Sequence, residues 1–117
     1  MINGSDFFKI KGNYKRYLDK KFKNNVSLIK GNSKSVLKKI DMSKIDYVFL
    51  DGGHSYPTVK NDLECCLDVV LSNGTIMCDD YNFGHLPDVK NAIDEFVKNN
   101  NLNCQIICDG RFAKIEK

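Results

Sequence analysis

The sequence predicts an α/β fold, a doubly wound and mostly parallel sheet that closes on a C-terminal antiparallel hairpin. Three observations carry this expectation. Short apolar runs alternate with stretches of helical periodicity, the pattern of strand–helix units. Two of those runs end on aspartates, as strands entering βα loops commonly do. Asp109-Gly110 separates the last two runs and supplies the positive φ values that a tight hairpin needs.

Taken in order, Tyr14, Tyr17, Leu18 and Phe22 form one stripe of an amphipathic helix over residues 13–24, with lysines on its other faces. The run VSLIK at 26–30 reads as a brief strand closed by Gly31. Val36, Leu37 and Ile40 then follow at helical spacing behind a Ser33 cap. Residues 45–50, IDYVFL, are the most hydrophobic strand candidate, and their nearly continuous apolar character predicts a strand buried on both faces. Pro57 suits a first helical turn. Val59, Leu63, Cys66, Leu67 and Val70 trace the stripe of a helix that stops at Ser72-Asn73-Gly74. A strand over 75–78 ends at Asp79-Asp80, and a helix with Pro87 early buries Val89, Ile93, Phe96 and Val97. The runs 105–108 and 112–115 flank Asp109-Gly110-Arg111 as the closing hairpin. No linker, repeat or low-complexity segment interrupts the pattern, so the 117 residues are expected to form a single domain.

Composition excludes several classes. No apolar run approaches the roughly 18–20 residues that span a bilayer, and the N-terminus lacks a signal-peptide core, so neither a membrane nor a secreted protein is expected. Five cysteines without a CxxC pair argue against a disulfide scaffold or zinc ribbon and point to a reducing, cytoplasmic compartment. Charge is uneven: residues 1–44 carry twelve basic and three acidic side chains, and the rest carry six basic and twelve acidic. Because sixteen of the eighteen basic residues are lysines dispersed among Asn and Ser, the basic half reads as a solvated face rather than a nucleic-acid surface.

Chemistry is expected at the carboxyl ends of the strands, where open α/β sheets bind ligands. Two successive strand ends read Asp51-Gly52-Gly53-His54 and Asp79-Asp80, so neighbouring strands would gather three carboxylates and an imidazole. Three close carboxylates repel one another unless they are hydrated apart, partly protonated or neutralised by a cation, and all-oxygen ligation selects Mg²⁺, Mn²⁺ or Ca²⁺ over zinc. The alternative is that Asp51 and Asp79 cap the following helices while Asp80 faces solvent. His54 reads either as a general base or anion-binding group, or as a loop imidazole bonded to backbone. Cys65, Cys66 and Cys78 fall on core faces as small apolar fillers.

The segments VSLIKGNSKSVLKKI, IDYVFLDGGHSYPTVKNDLECCLDVVLSNGTIMCDDYN and VKNAIDEFVKNN resemble the class I S-adenosylmethionine-dependent methyltransferases. The likeness is to the branch in which an Asp-Gly-x-His-x-Tyr segment follows the fourth strand. It implies a Rossmann-like fold, S-adenosylmethionine as cofactor and O-methylation of a small hydroxylated, sugar-like substrate. It also implies that Gly31, Asn32, Ser33 and Asp51 contact the cofactor and that Asp6 holds its ribose hydroxyls. By the same resemblance to metal-dependent O-methyltransferases, Asp51, Asp79 and Asp80 would hold a divalent cation such as Mg²⁺. His54 or Asp51 would then take the proton from the substrate hydroxyl.

The family's first strand and glycine-rich turn have no counterpart, since only Gly4 and Gly12 lie upstream of Gly31. The expectation is therefore a partial, N-terminally truncated domain in which two strand edges are exposed or pair with each other: a fragment, a sheet that a partner chain or a second copy completes, or a degenerate relative that no longer binds the cofactor. A second reading follows: a non-enzymatic methyltransferase-like module that pairs with a partner subunit.

Overall fold

A computed structural model describes residues 29–39, 45–82, 84 and 87–117. The helix expected over 13–24 and Asp6 lie outside them, as do all but two residues of the strand expected over 26–30; Ile29 and Lys30 carry no strand structure. The elements are α1 (Ser33–Val36), β1 (Ile45–Leu50), α2 (Tyr56–Val69), β2 (Val70–Cys78), α3 (Asp88–Asn99), β3 (Asn103–Ile107) and β4 (Phe112–Glu116).

The strands form one mixed sheet in the order β1-β2-β4-β3. β1 and β2 run parallel, with Val48 opposite Ile76 and Leu50 opposite Cys78, whereas β4 runs antiparallel to both β2 and β3. The α/β architecture and the closing hairpin thus match the expectation. In the turn, Asp109 and Gly110 have φ of 55° and 92°, and the Arg111 N–H donates to the Cys108 carbonyl at 3.1 Å. Gly110 owes its place to that positive φ, which side chains rarely adopt, while a methyl group there would meet only the movable Asn82 Nδ2 at 2.3 Å.

The core lies between one sheet face and the helices. Ile76 and Cys78 of β2 and Ala113 and Ile115 of β4 meet Val59, Leu63 and Cys66 of α2 and Val89, Ala92, Ile93 and Phe96 of α3. These helical residues recur at i, i+3, i+4 and i+7, which is why each helix buries a single stripe. Burial pushes the Cys66 thiol up to about 12 and the Cys78 thiol higher still, so neither ionises near neutral pH, as expected of apolar fillers.

Four local expectations change. β1 is not buried on both faces: Tyr47 is exposed, and β1 has a strand neighbour on one side only among the described residues. The helix over the fifties and sixties stops at Val69, and Val70 already belongs to the following strand. Ser72-Asn73-Gly74 lies inside β2 as an excursion, because Ile45 pairs with Val70 but Tyr47 pairs with Thr75. Lys117 closes this corner by donating through Nζ to the Leu67 and Val70 carbonyls, each at 2.8 Å, which satisfies orphan groups at the end of α2. Finally, α1 is capped by Asn32, whose side chain accepts the Lys34 N–H at 2.9 Å, rather than by Ser33, which begins the helix.

Candidate functional site

Parallel pairing brings the ends of β1 and β2 to the same edge, and the Asp79 N–H extends the ladder by donating to the Leu50 carbonyl at 2.9 Å. The residues that follow therefore emerge side by side. Asp51, Asp79 and Asp80 each present a carboxylate oxygen within 4.8 Å of the others. His54, four residues after Leu50, turns back so that Nε2 lies 2.8 Å from Asp80 Oδ2. An ionised carboxylate only accepts, so Nε2 is the donor when the two groups bond in this form.

None of these aspartates caps a helix. Ser55 caps α2 by accepting the Thr58 N–H, and α3 starts behind Pro87 with no side-chain cap. Asp80 does not simply face solvent either; it is half-buried and paired with His54. With the capping role excluded, the three carboxylates remain as a cluster, and each meets a different environment. Asp79 accepts Arg111 Nε at 3.1 Å and Nη2 at 3.3 Å, and its Oδ1 also accepts the Asp80 N–H at 2.7 Å. The Arg111 fork, opposed by burial and helped by the Asp80 N–H, holds the Asp79 carboxyl below its ordinary value of 3.8. Asp80 adopts φ of 61°, an αL conformation that aspartate tolerates better than most residues, and this turns its carboxylate toward His54. No hydrogen-bond donor among the described residues reaches Asp51.

The hollow at this edge is lined by Asp51, Gly52, His54, Asp62, Asp79 and Asp80, with Leu50 and Ile93 beneath. Its volume is about 20 Å³, room for about one water or one ion. Three mutually close carboxylate oxygens make an all-oxygen donor set suited to a hard divalent cation. Asp51 has oxygens that no donor among the described residues engages, whereas Asp79 is already engaged by Arg111. By donor chemistry and spacing the residues fit the ion that the sequence implied.

Gly31, Asn32 and Ser33 line no part of this hollow, and the Asn32 side-chain Oδ1 is used in capping α1. Two residues of the site were not anticipated. Arg111 was read only as part of a turn. Asp62 is 7% exposed on the core-facing side of α2; its signal was present, for it stands three residues after Val59 and four before Cys66, a polar residue inside an apolar stripe. Tyr56, the aromatic residue of the DGGHSY segment, reaches away from the carboxylates: its hydroxyl donates to Glu95 at 2.5 Å and its N–H to Asp88 at 3.3 Å, tying the start of α2 to α3.

A methyltransferase domain model matches residues 4–81, more than half of the chain, and the chain belongs to that family. The fold is that of the class I S-adenosylmethionine-dependent methyltransferases. Among solved structures it is similar to the O-methyltransferase NovP, with a TM-score of 0.67 at 19% identity over 87% of this chain and 43% of that one. It is also similar to CalS11, a TDP-rhamnose 3′-O-methyltransferase of calicheamicin biosynthesis, with a TM-score of 0.64 at 17% identity over 90% of this chain and 53% of that one. A protein described as an rRNA-methylase from Clostridium thermocellum gives a TM-score of 0.69 at 21% identity over 92% of this chain and 66% of that one. The chain thus spans about half to two-thirds of the length of these structures, and the likeness is one of fold. No curated protein matches the chain. No helix among the described residues is long and apolar enough to cross a membrane.

Proposed function

We propose that this chain carries the carboxylate-bearing part of an S-adenosylmethionine-dependent O-methyltransferase acting in the cytoplasm on a small hydroxylated, sugar-like substrate. Residues 1–117 are taken as one partial methyltransferase domain. The observation that supports the reading is the gathering of Asp51, Asp79 and Asp80 within 4.8 Å, beside His54, at the end of the parallel pair.

In this reading Asp51, Asp79 and Asp80 hold a divalent cation such as Mg²⁺. When bound, that ion supplies positive charge that lowers the pKa of a substrate hydroxyl and orients its oxygen. S-adenosylmethionine supplies an electrophilic methyl whose transfer depends mainly on alignment. His54, held beside the cluster by its Nε2 contact with Asp80, is the candidate proton acceptor for the substrate hydroxyl. Asp51 is the second candidate base, since no donor among the described residues engages its oxygens. Gly31, Asn32, Ser33 and Asp51 are assigned to the cofactor and Asp6 to its ribose. Asn32 retains its amide NH₂ for a ligand while its oxygen caps α1.

A second reading is favoured by β1, which has a strand neighbour on one side only among the described residues and exposes Tyr47: a non-enzymatic module whose β1 edge pairs with a partner chain or a second copy. Isothermal titration of the folded chain with S-adenosylhomocysteine, with and without Mg²⁺, separates the two. Micromolar binding is expected for the enzyme. A folded chain that gives no heat, and that sediments as a dimer or larger, would discard the enzymatic reading in favour of the module.

A further inference from the structure

Arg111 stands out because its role cannot be read from its neighbours in sequence. It leaves the β3–β4 turn, yet its guanidinium forks onto both oxygens of Asp79, 32 residues away. The Asp79 side chain is only 7% exposed, while that of Arg111 is 63% exposed, so the arginine closes the cluster from the solvent side. A carboxylate offers about four acceptor positions. Arg111 and the Asp80 N–H take three of them on Asp79. The backbone keeps the arginine in place: the Tyr81 N–H donates to the Arg111 carbonyl at 3.0 Å, and Gly110 packs against Asn82. The hairpin is therefore fastened to the loop that carries Asp79 and Asp80.

A fixed unit charge in contact with a metal ligand repels an incoming divalent ion and occupies lone pairs that the ion needs. We propose that Arg111 is a built-in counter-cation of the Asp51–Asp79–Asp80 cluster, competing with a divalent cation for Asp79 and thereby setting the cluster's metal affinity. The proposal rests on the reading of these aspartates as cation ligands and adds to it a residue that touches neither cofactor nor substrate. A purely structural Arg111, or one that presents Asp79 to the ion, predicts the opposite sign, because its removal would leave metal binding unchanged or weaker.

The test is Mn²⁺ binding to the full chain, followed by the electron paramagnetic resonance signal of free Mn²⁺, for the wild type, Arg111→Gln, Arg111→Lys and Asp51→Asn, with folding checked by circular dichroism. Arg111→Gln should bind about tenfold tighter than wild type or more, the scale of change produced by residues that contact metal ligands. Arg111→Lys, which keeps a charge but loses the fork, should lie between. A folded Arg111→Gln that binds Mn²⁺ equally or more weakly overturns the proposal. If wild-type binding disappears in Asp51→Asn while Arg111→Gln is no tighter, the cation reading survives and the role of Arg111 does not. If neither wild type nor Arg111→Gln retains Mn²⁺, both fall. Should Arg111→Gln fail to fold, Arg111→Lys decides: tighter binding than wild type supports the proposal, and equal or weaker binding overturns it.

Discussion

Ile115 in β4 is 1% exposed and Tyr47 in β1 is 53% exposed, although both belong to the same sheet. β4 lies between β2 and β3, and Ile115 faces the helices; β1 has a neighbour on one side among the described residues, and Tyr47 points to the opposite face from Val48 and Leu50. The same asymmetry reaches the candidate site. Asp79, next to the hairpin, receives Arg111, and Asp80 receives His54, while Asp51 at the end of β1 has no donor among the described residues. The antiparallel side of the molecule supplies its own partners, and among the described residues the β1 side leaves one strand edge and one carboxylate without any.

The contrast can be broken at its strongest point by Ile115→Ala, which removes a fully enclosed side chain and should cost about 2–5 kcal/mol, read as a lowered urea midpoint. A loss below about 1 kcal/mol would mean that β4 is less tightly enclosed than its burial implies.

An intermediate effect is expected from acid. The folded-state pKa of Asp79 is depressed, chiefly by Arg111, so its stabilising contribution is complete above the ordinary value of 3.8 and is lost as pH falls through the lower folded value. Arg111→Gln should therefore be less stable than wild type at neutral pH, and the difference should shrink as pH drops below about 4. Urea midpoints that stay equally far apart across that range would show that the Arg111–Asp79 pair does not couple stability to pH.

The smallest effect belongs to the exposed side of β1. Tyr47→Thr replaces an aromatic residue with a β-branched one, both suited to a strand, at an exposed position, and should change stability by no more than about 0.5 kcal/mol. If the edge is where copies of the chain meet, sedimentation velocity will show weaker self-association for this variant. A large loss of stability without any change in association would contradict the exposed placement of Tyr47.

Local chemistry made much of this legible. The alternation of apolar runs and helical stripes located β1, α2, β2 and α3, and Asp109-Gly110 located the closing turn, because turn φ values and amphipathic periods are properties of short segments. Asp51, His54, Asp79 and Asp80 could be singled out because strand ends are recognisable and ligands gather there. The exact end of α2 was not legible, since Val70 continues the helical stripe and only pairing with Ile45 turns it into a strand. The cap of α1 was misread by one residue because Asn32 and Ser33 are both good caps and the choice depends on which side chain reaches the Lys34 N–H.

By itself, then, the sequence determined the kind and order of the elements from β1 onward, the turn chemistry and the carboxylates available at the strand ends, all consequences of spacing and side-chain type along a few consecutive residues. Only the tertiary structure decided that β1 has one strand neighbour among the described residues and exposes Tyr47, that Asp62 lines the hollow, and that Arg111 neutralises Asp79. Those outcomes depend on strand order. By placing β4 beside β2, the fold brings the β3–β4 turn over the end of β2, and no local pattern encodes a contact between residues 32 apart that meet only through that pairing.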